Sequence, residues 1–190
     1  MKGVVFTEFL EMVETQFGLE VADRIIEQSD LPNDGAYTSV GTYEHEDLLK
    51  LVGNLSREAE TPPHALVKAF GQHLFKRFSQ SFPEFFDGVD SAFAFLSRVD
   101  DVIHVEVRKL YPDAELPRFR LSFPDIGEME LRYESSRPFA DLAEGLIEAC
   151  SRHFGEEIVV SREDDPTAPG CRATFLLRCE QGAELCTTSL

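Results

Sequence analysis

Tryptophan is absent from this 190-residue chain, and cations are scarce: 18 Lys and Arg stand against 35 Asp and Glu, a formal net charge of −17. So acidic a surface repels phosphate, which excludes sequence-independent binding to nucleic acid or to anionic lipid. No apolar run reaches the length of a membrane span. The opening MKGVVFTEFLEMVE meets Glu8 and Glu11 too soon for the apolar centre of a signal peptide, so a cytoplasmic protein is expected. The four cysteines, Cys150, Cys171, Cys179 and Cys186, form no C-x-x-C pair, and a closed zinc site is not signalled. Also missing are H-E-x-x-H, a glycine-rich phosphate loop, and any Ser or Cys set beside a base at motif spacing. The expectation is a protein that is not an enzyme.

What is present is a core. Hydrophobic residues make up 43% of the chain, and 16 of them are Phe. That composition fits one globular domain over residues 1–190 and argues against disorder. An ordinary aromatic core is the plainer reading of so many Phe; a flat-walled pocket for a planar ligand is the sharper one.

Up to residue 111 the apolar spacing is helical. Val5, Phe6, Phe9, Leu10, Val13 and Phe17 share one side of a helix over 4–17, and Gly18 stands where its C-terminus favours positive φ. Leu19, Ala22, Ile25 and Ile26 mark a short second helix ending at the turn formers SDLPNDG. After a connector over 36–43, Leu48, Leu49, Leu51, Val52 and Leu55 mark a third. Thr61 then Pro62 reads as a hydroxyl cap with proline at the first helical position, opening a helix that carries Leu66, Phe70, Leu74 and Phe78. Ser91 to Leu110 reads as one more helix, with Leu96, Val99, Ile103, Val107 and Leu110 in its stripe and His104 beside it. A histidine on such a face is more often a hydrogen-bonded core residue than a metal ligand.

Beyond Pro112 the period falls to two. Phe119, Leu121 and Phe123 alternate with polar residues, PDIG turns the chain, and Met129, Leu131 and Tyr133 alternate in a second strand. A helix comes next, from about Pro138 to Phe154, placing Leu142, Leu146, Cys150 and His153 on one face. Strands at 158–160 and 171–179 complete an antiparallel sheet, in which Cys171 and Cys179 read as small core residues. The fold class is therefore α/β in the α+β sense: a helical lobe over 1–111, then antiparallel sheet plus helices over 112–190.

The stretch LRYESSRPF, 131–139, is the most informative. Tyr133, Ser135 and Arg137 keep the parity of Met129 and Leu131, so an extended chain turns a phenol, a hydroxyl and a guanidinium inward together. An inward Arg needs an anion. A protein carboxylate is the bland partner, and the carboxylate of a bound ligand is the other. A helical His, Phe-rich walls and a carboxylate-binding donor set together suit haem.

With these residues in view, Tyr133-x-Ser135-x-Arg137 downstream of His104 in VIHVEVRKLYPDAELP resembles the haem nitric oxide/oxygen binding (H-NOX) domains, bacterial relatives of the soluble guanylate cyclase haem domain. MKGVVFTEFLEMVETQFG, AYTSVG at 36–41 and AEGLIEACSRHFGE at 143–156 carry the same resemblance, which spans nearly the whole chain. It implies haem b (iron protoporphyrin IX) between the lobes, His104 as the iron ligand, Tyr133, Ser135 and Arg137 on the propionates, and Pro117 pressing on the porphyrin. Leu142 stands where oxygen-binding members carry a distal tyrosine, with Val5, Phe9, Phe78 and Leu146 as further distal neighbours. The resemblance thus implies a sensor of nitric oxide that also takes carbon monoxide and ignores oxygen. It would stand alone and signal to a separate histidine kinase or diguanylate cyclase. A gas carrier or scavenger and a haem-free interaction domain are the alternatives, the second disfavoured by the intact His104 and Tyr-Ser-Arg set. Phe139 stands where some members have a cysteine of a zinc cluster, and PTAPGC keeps only Cys171, which counts against zinc here.

Overall fold

The computed structural model describes residues 1–180. Cys186 lies outside them. Within them, seven α-helices and four strands run in chain order: α1 (Gly3–Phe17), α2 (Leu19–Gln28), α3 (His45–Glu58), α4 (Pro63–Ser81), α5 (Ala92–Ser97), α6 (His104–Leu110), β1 (Arg118–Ser122), β2 (Glu128–Ser135), α7 (Ala140–His153), β3 (Ile158–Asp164) and β4 (Cys171–Cys179). The strands form one antiparallel sheet in the order β1-β2-β4-β3.

Each lobe has its own apolar cluster. The first joins α1 to α4 and centres on Phe6, Phe9, Leu51, Leu55 and Phe70. The second lies on one face of the sheet, where Met129, Leu131 and Tyr133 of β2 neighbour Leu177, Phe175 and Ala173 of β4. Alternation along a pleated strand sends these residues to the same side. α7 lies between the clusters and serves both. Ala140, Ala143, Ile147 and Cys150 face the sheet cluster, Leu142 packs on the helical one, and Leu146 touches both.

Four expectations change. Helix α4 begins at Pro63 rather than Pro62, because a residue preceding proline is pushed out of the helical region, and Pro62 sits extended at φ −57, ψ 141. Thr61 is accordingly no cap; its hydroxyl donates to the Ala59 carbonyl at 2.9 Å. Phe123 falls beyond β1 and is exposed, and His153 is exposed at the end of α7. The helix expected over Ser91–Leu110 is broken into α5, a π-helical stretch Val99–Ile103, and α6. Ile103 N–H bonds the Arg98 carbonyl and His104 N–H the Val99 carbonyl, each five residues back. One extra residue in the turn rotates the rest of the helix by roughly 100°. His104 is thereby brought to 8% exposure while Leu110, expected in the stripe, stands 60% exposed.

The lobes meet where α4 crosses α7, glycine against glycine. A Cβ on Gly145 would lie 2.0 Å from the Lys68 carbonyl oxygen, and one on Gly71 2.3 Å from that of Leu142. Gly145→Ala must therefore force the helices apart and is expected to cost about 1–3 kcal/mol in denaturant unfolding. Gly53, inside α3, is different, because a Cβ there would meet nothing within 4 Å. At that position the same change should stabilise by about 0.5–1 kcal/mol, through helix propensity alone.

Candidate cofactor site

His104 opens α6 and is buried, its ring 5.9 Å from that of Phe119 on β1. Phe119 in turn lies 5.6 Å from the Tyr133 ring on the neighbouring strand. The Nδ1 of His104 is 3.0 Å from a carboxylate oxygen of Asp100. A carboxylate accepts only, so Nδ1 carries the hydrogen of this bond. Burial pushes the imidazole pKa down, with Asp100 pulling the other way and the net result lowered. Burial thus favours the neutral ring, and a neutral imidazole protonated at Nδ1 has its lone pair on Nε2. That is the form a metal takes.

Tyr133 is 4% exposed, and burial drives its phenol up to about 12 against an opposing hydrogen bond with Ser135. Ser135 closes β2, and its Oγ accepts the Arg137 backbone N–H at 3.1 Å. Arg137 lies just past the strand, largely shielded, and its Nη2 is 2.9 Å from a carboxylate oxygen of the mostly exposed Glu115. The bland partner, a protein carboxylate, is therefore present, on the solvent side. Pro117 is half-buried in the segment joining α6 to β1. Upstream in that segment, Asp113 accepts from Thr42 at 2.7 Å and pairs with Lys2 at 3.2 Å, tying it to the helical lobe.

Phe9 is fully buried in the helical cluster, with Val5, Phe78, Leu142 and Leu146 half-buried against it. The structure thus gathers two groups of the residues singled out in the sequence. His104 and Tyr133 are linked through Phe119, with Ser135 and Arg137 at the strand's end; Val5, Phe9, Phe78, Leu142 and Leu146 share the other cluster. Leu146 borders both clusters. The second group holds only hydrocarbon side chains. Sequence reasoning missed Phe119, Glu115 and the part played by Asp100. Phe119 was legible as a partner by strand parity, and Asp100 as a carboxylate four residues before His104; nothing in the sequence marks Glu115.

The donor set fits haem. A neutral buried imidazole offers one nitrogen to iron, aliphatic and aromatic side chains suit a porphyrin, and a shielded guanidinium beside a phenol and a hydroxyl suits carboxylates. Among the described residues no cluster of three or more His, Cys, Asp or Glu is arranged to hold a bare metal ion. The thiol of Cys150 is buried and pushed well up by desolvation, Cys171 is raised by the same cause, and Cys171 and Cys179 pack against the sheet cluster as expected. None of the described helices is long and apolar enough to cross a membrane.

A family model described as Haem-NO-binding matches residues 2–162. The Fe(II) unliganded H-NOX protein from K. algicida is 35% identical, with a TM-score of 0.88 over 96% of this chain and 98% of its own. The H-NOX from Shewanella woodyi, solved bound to IWP-051 in the Fe(II)CO ligation state, is 40% identical, with a TM-score of 0.79 over 94% of each chain. An H-NOX protein from S. oneidensis in the Fe(II)NO ligation state is 29% identical, with a TM-score of 0.86 over 95% of this chain and 99% of its own. A comparison with curated proteins finds no match.

The phenols give a pH test. Burial raises Tyr133 and Tyr37 to about 12 from an ordinary 10, so the folded protein binds more protons than the unfolded chain between those values. Stability that is whole below pH 10 should then be lost as pH rises towards 12. Tyr133→Phe should flatten that decline in urea unfolding measured at several alkaline pH values.

Proposed function

The chain belongs to the Haem-NO-binding family, and on that premise we propose that it holds haem b between its lobes and senses nitric oxide. The observation that carries this reading is His104: buried, with Nδ1 bonded to Asp100 so that Nε2 is left to face a ligand. Haem, when bound, would supply a ferrous iron able to take a diatomic gas. His104 would hold that iron through Nε2. Tyr133, Ser135 and Arg137 would hold the propionates, Arg137 giving up its bond to the exposed Glu115, a weakly held partner. Pro117 would bear on the porphyrin from the α6–β1 segment. Val5, Phe9, Phe78, Leu142 and Leu146 would wall the gas side.

The protein has no catalytic chemistry in this reading. It works in the cytoplasm, binds nitric oxide and carbon monoxide, and passes its state to a separate protein, a histidine kinase or a diguanylate cyclase. Support for the two gases comes from the S. oneidensis and S. woodyi relatives, solved in Fe(II)NO and Fe(II)CO states. His104 opens α6, and the segment that follows is tied to the helical lobe through Asp113, so a change in how His104 is held would be passed to that lobe. A switch needs such a differential bond between its states.

His104→Ala should lose haem on purification or retain it only with added imidazole, read from the Soret band. A variant with the wild-type band and no imidazole would remove His104 from the site.

Gas selectivity rests on a missing donor. Dioxygen bound to ferrous iron gains partial negative charge and is held by a hydrogen bond, whereas nitric oxide and carbon monoxide bind without one. Leu142 and its neighbours offer none, a deficit of about 1–3 kcal/mol. Roughly a tenfold loss of affinity goes with each 1.4 kcal/mol. The reduced protein equilibrated with air, free of dithionite, should keep its five-coordinate spectrum; a stable oxygen-bound spectrum would show a donor reaching the iron.

A further inference from the structure

The pairing of Asp100 with His104 goes beyond this reading, although it rests on His104 being the iron ligand. We infer that Asp100 is a positioning residue that sets the donor strength and rotation of the His104 ring. Asp100 sits inside the π-helical stretch and His104 comes immediately after it, so the five-residue backbone bonds of that turn fix the two relative to each other. Their side chains meet at 3.0 Å, with His104 11% and Asp100 32% exposed. Among the described residues no Lys or Arg forms an ion pair with Asp100. Its charge is therefore directed at the imidazole.

A carboxylate accepting from Nδ1–H draws the hydrogen towards itself and leaves Nε2 richer in electrons, while the bond's direction holds the ring plane. Asp101, the adjacent carboxylate, is exposed and makes no bond to the ring. The two residues thus differ in contact while sharing charge and neighbourhood, and each serves as the other's control.

The test uses the haem-loaded ferrous protein without gas, and reads the iron–histidine stretching band by resonance Raman together with the ferric/ferrous midpoint potential. Asp100→Asn keeps an acceptor of the same shape but no charge, and should move the band to lower frequency and the potential upward. Asp100→Ala removes the acceptor and should move both further. Asp101→Asn should leave the band where it is. If Asp100→Ala does not fold, Asp100→Asn against Asp101→Asn still decides. An unmoved band in the Asp100 variants overturns the inference, even with a shifted potential, since that would mark through-space charge alone. A wild-type protein with no iron–histidine band would instead defeat the ligand assignment and take this inference with it.

Discussion

Backbone meets backbone where α4 crosses α7, and the placing of the candidate site depends on that contact. Two glycines, Gly71 and Gly145, leave each helix against a carbonyl of the other with no room for a methyl group. Packing this close brings α7 near enough to serve both apolar clusters, with Leu142 turned to the helical lobe, Ala143 and Ile147 to the sheet, and Leu146 between them. A wider crossing would separate the walls on which a cofactor between the lobes depends. Charge reinforces the crossing. Lys68 on α4 reaches Glu144 and Glu148 on α7 at 2.7 and 2.6 Å, and Arg162 on β3 holds Asp141 and Glu144 from the sheet side. Partly exposed pairs of this kind contribute about 0–1 kcal/mol each. Burying a single Leu or Phe contributes about 1.5–3 kcal/mol. Apolar packing therefore sets the lobe arrangement, and the ion pairs select its register.

Much of this was legible in the sequence, because the signals were local. Helical spacing in α1 to α4 and alternation in β1, β2 and β4 are properties of short windows, and tertiary packing kept them. The inward parity of Tyr133 was likewise a matter of strand pleat. The failures have local causes too. Thr61 looked like a cap only while Pro62 was taken as helical, and Pro63 forbids that. The stripe from Leu96 to Leu110 assumed one unbroken helix, and a single extra residue in a π turn turned its last part away.

That turn shows why a site can be visible in a sequence while its geometry is not. Helical spacing from Leu96 puts Val107 and Leu110 in the stripe and His104 at its margin. The observed backbone reverses the ranking, burying His104 and exposing Leu110. No residue in VDDVI announces a π turn; Val, Asp and Ile all occur in ordinary helices. An irregular turn forfeits regular hydrogen bonding, and such turns cluster at functional sites where the geometry they create is used. Here the result is a buried imidazole with a carboxylate on one nitrogen and a lone pair on the other.

The two sides of the site obey opposite rules. Around His104, Tyr133 and Arg137, polar groups are buried or half-buried and each has a partner: Asp100, Ser135 and Glu115 respectively. A buried polar group left without one would cost about 1–3 kcal/mol. A charged group bound on that side must therefore replace a partner, and exposed Glu115 is the one most readily given up. Phe9, Leu142 and Leu146 belong instead to an apolar cluster built mainly of aliphatic and aromatic side chains. A surface of that kind discriminates by omission. It offers no hydrogen bond from the side chains of Phe9, Leu142 and Leu146, and that lack of a hydroxyl is a property of single residues. Such a property leaves no motif to find, and only the placing of Leu142 on the helical cluster, away from the polar groups around His104, gives it meaning.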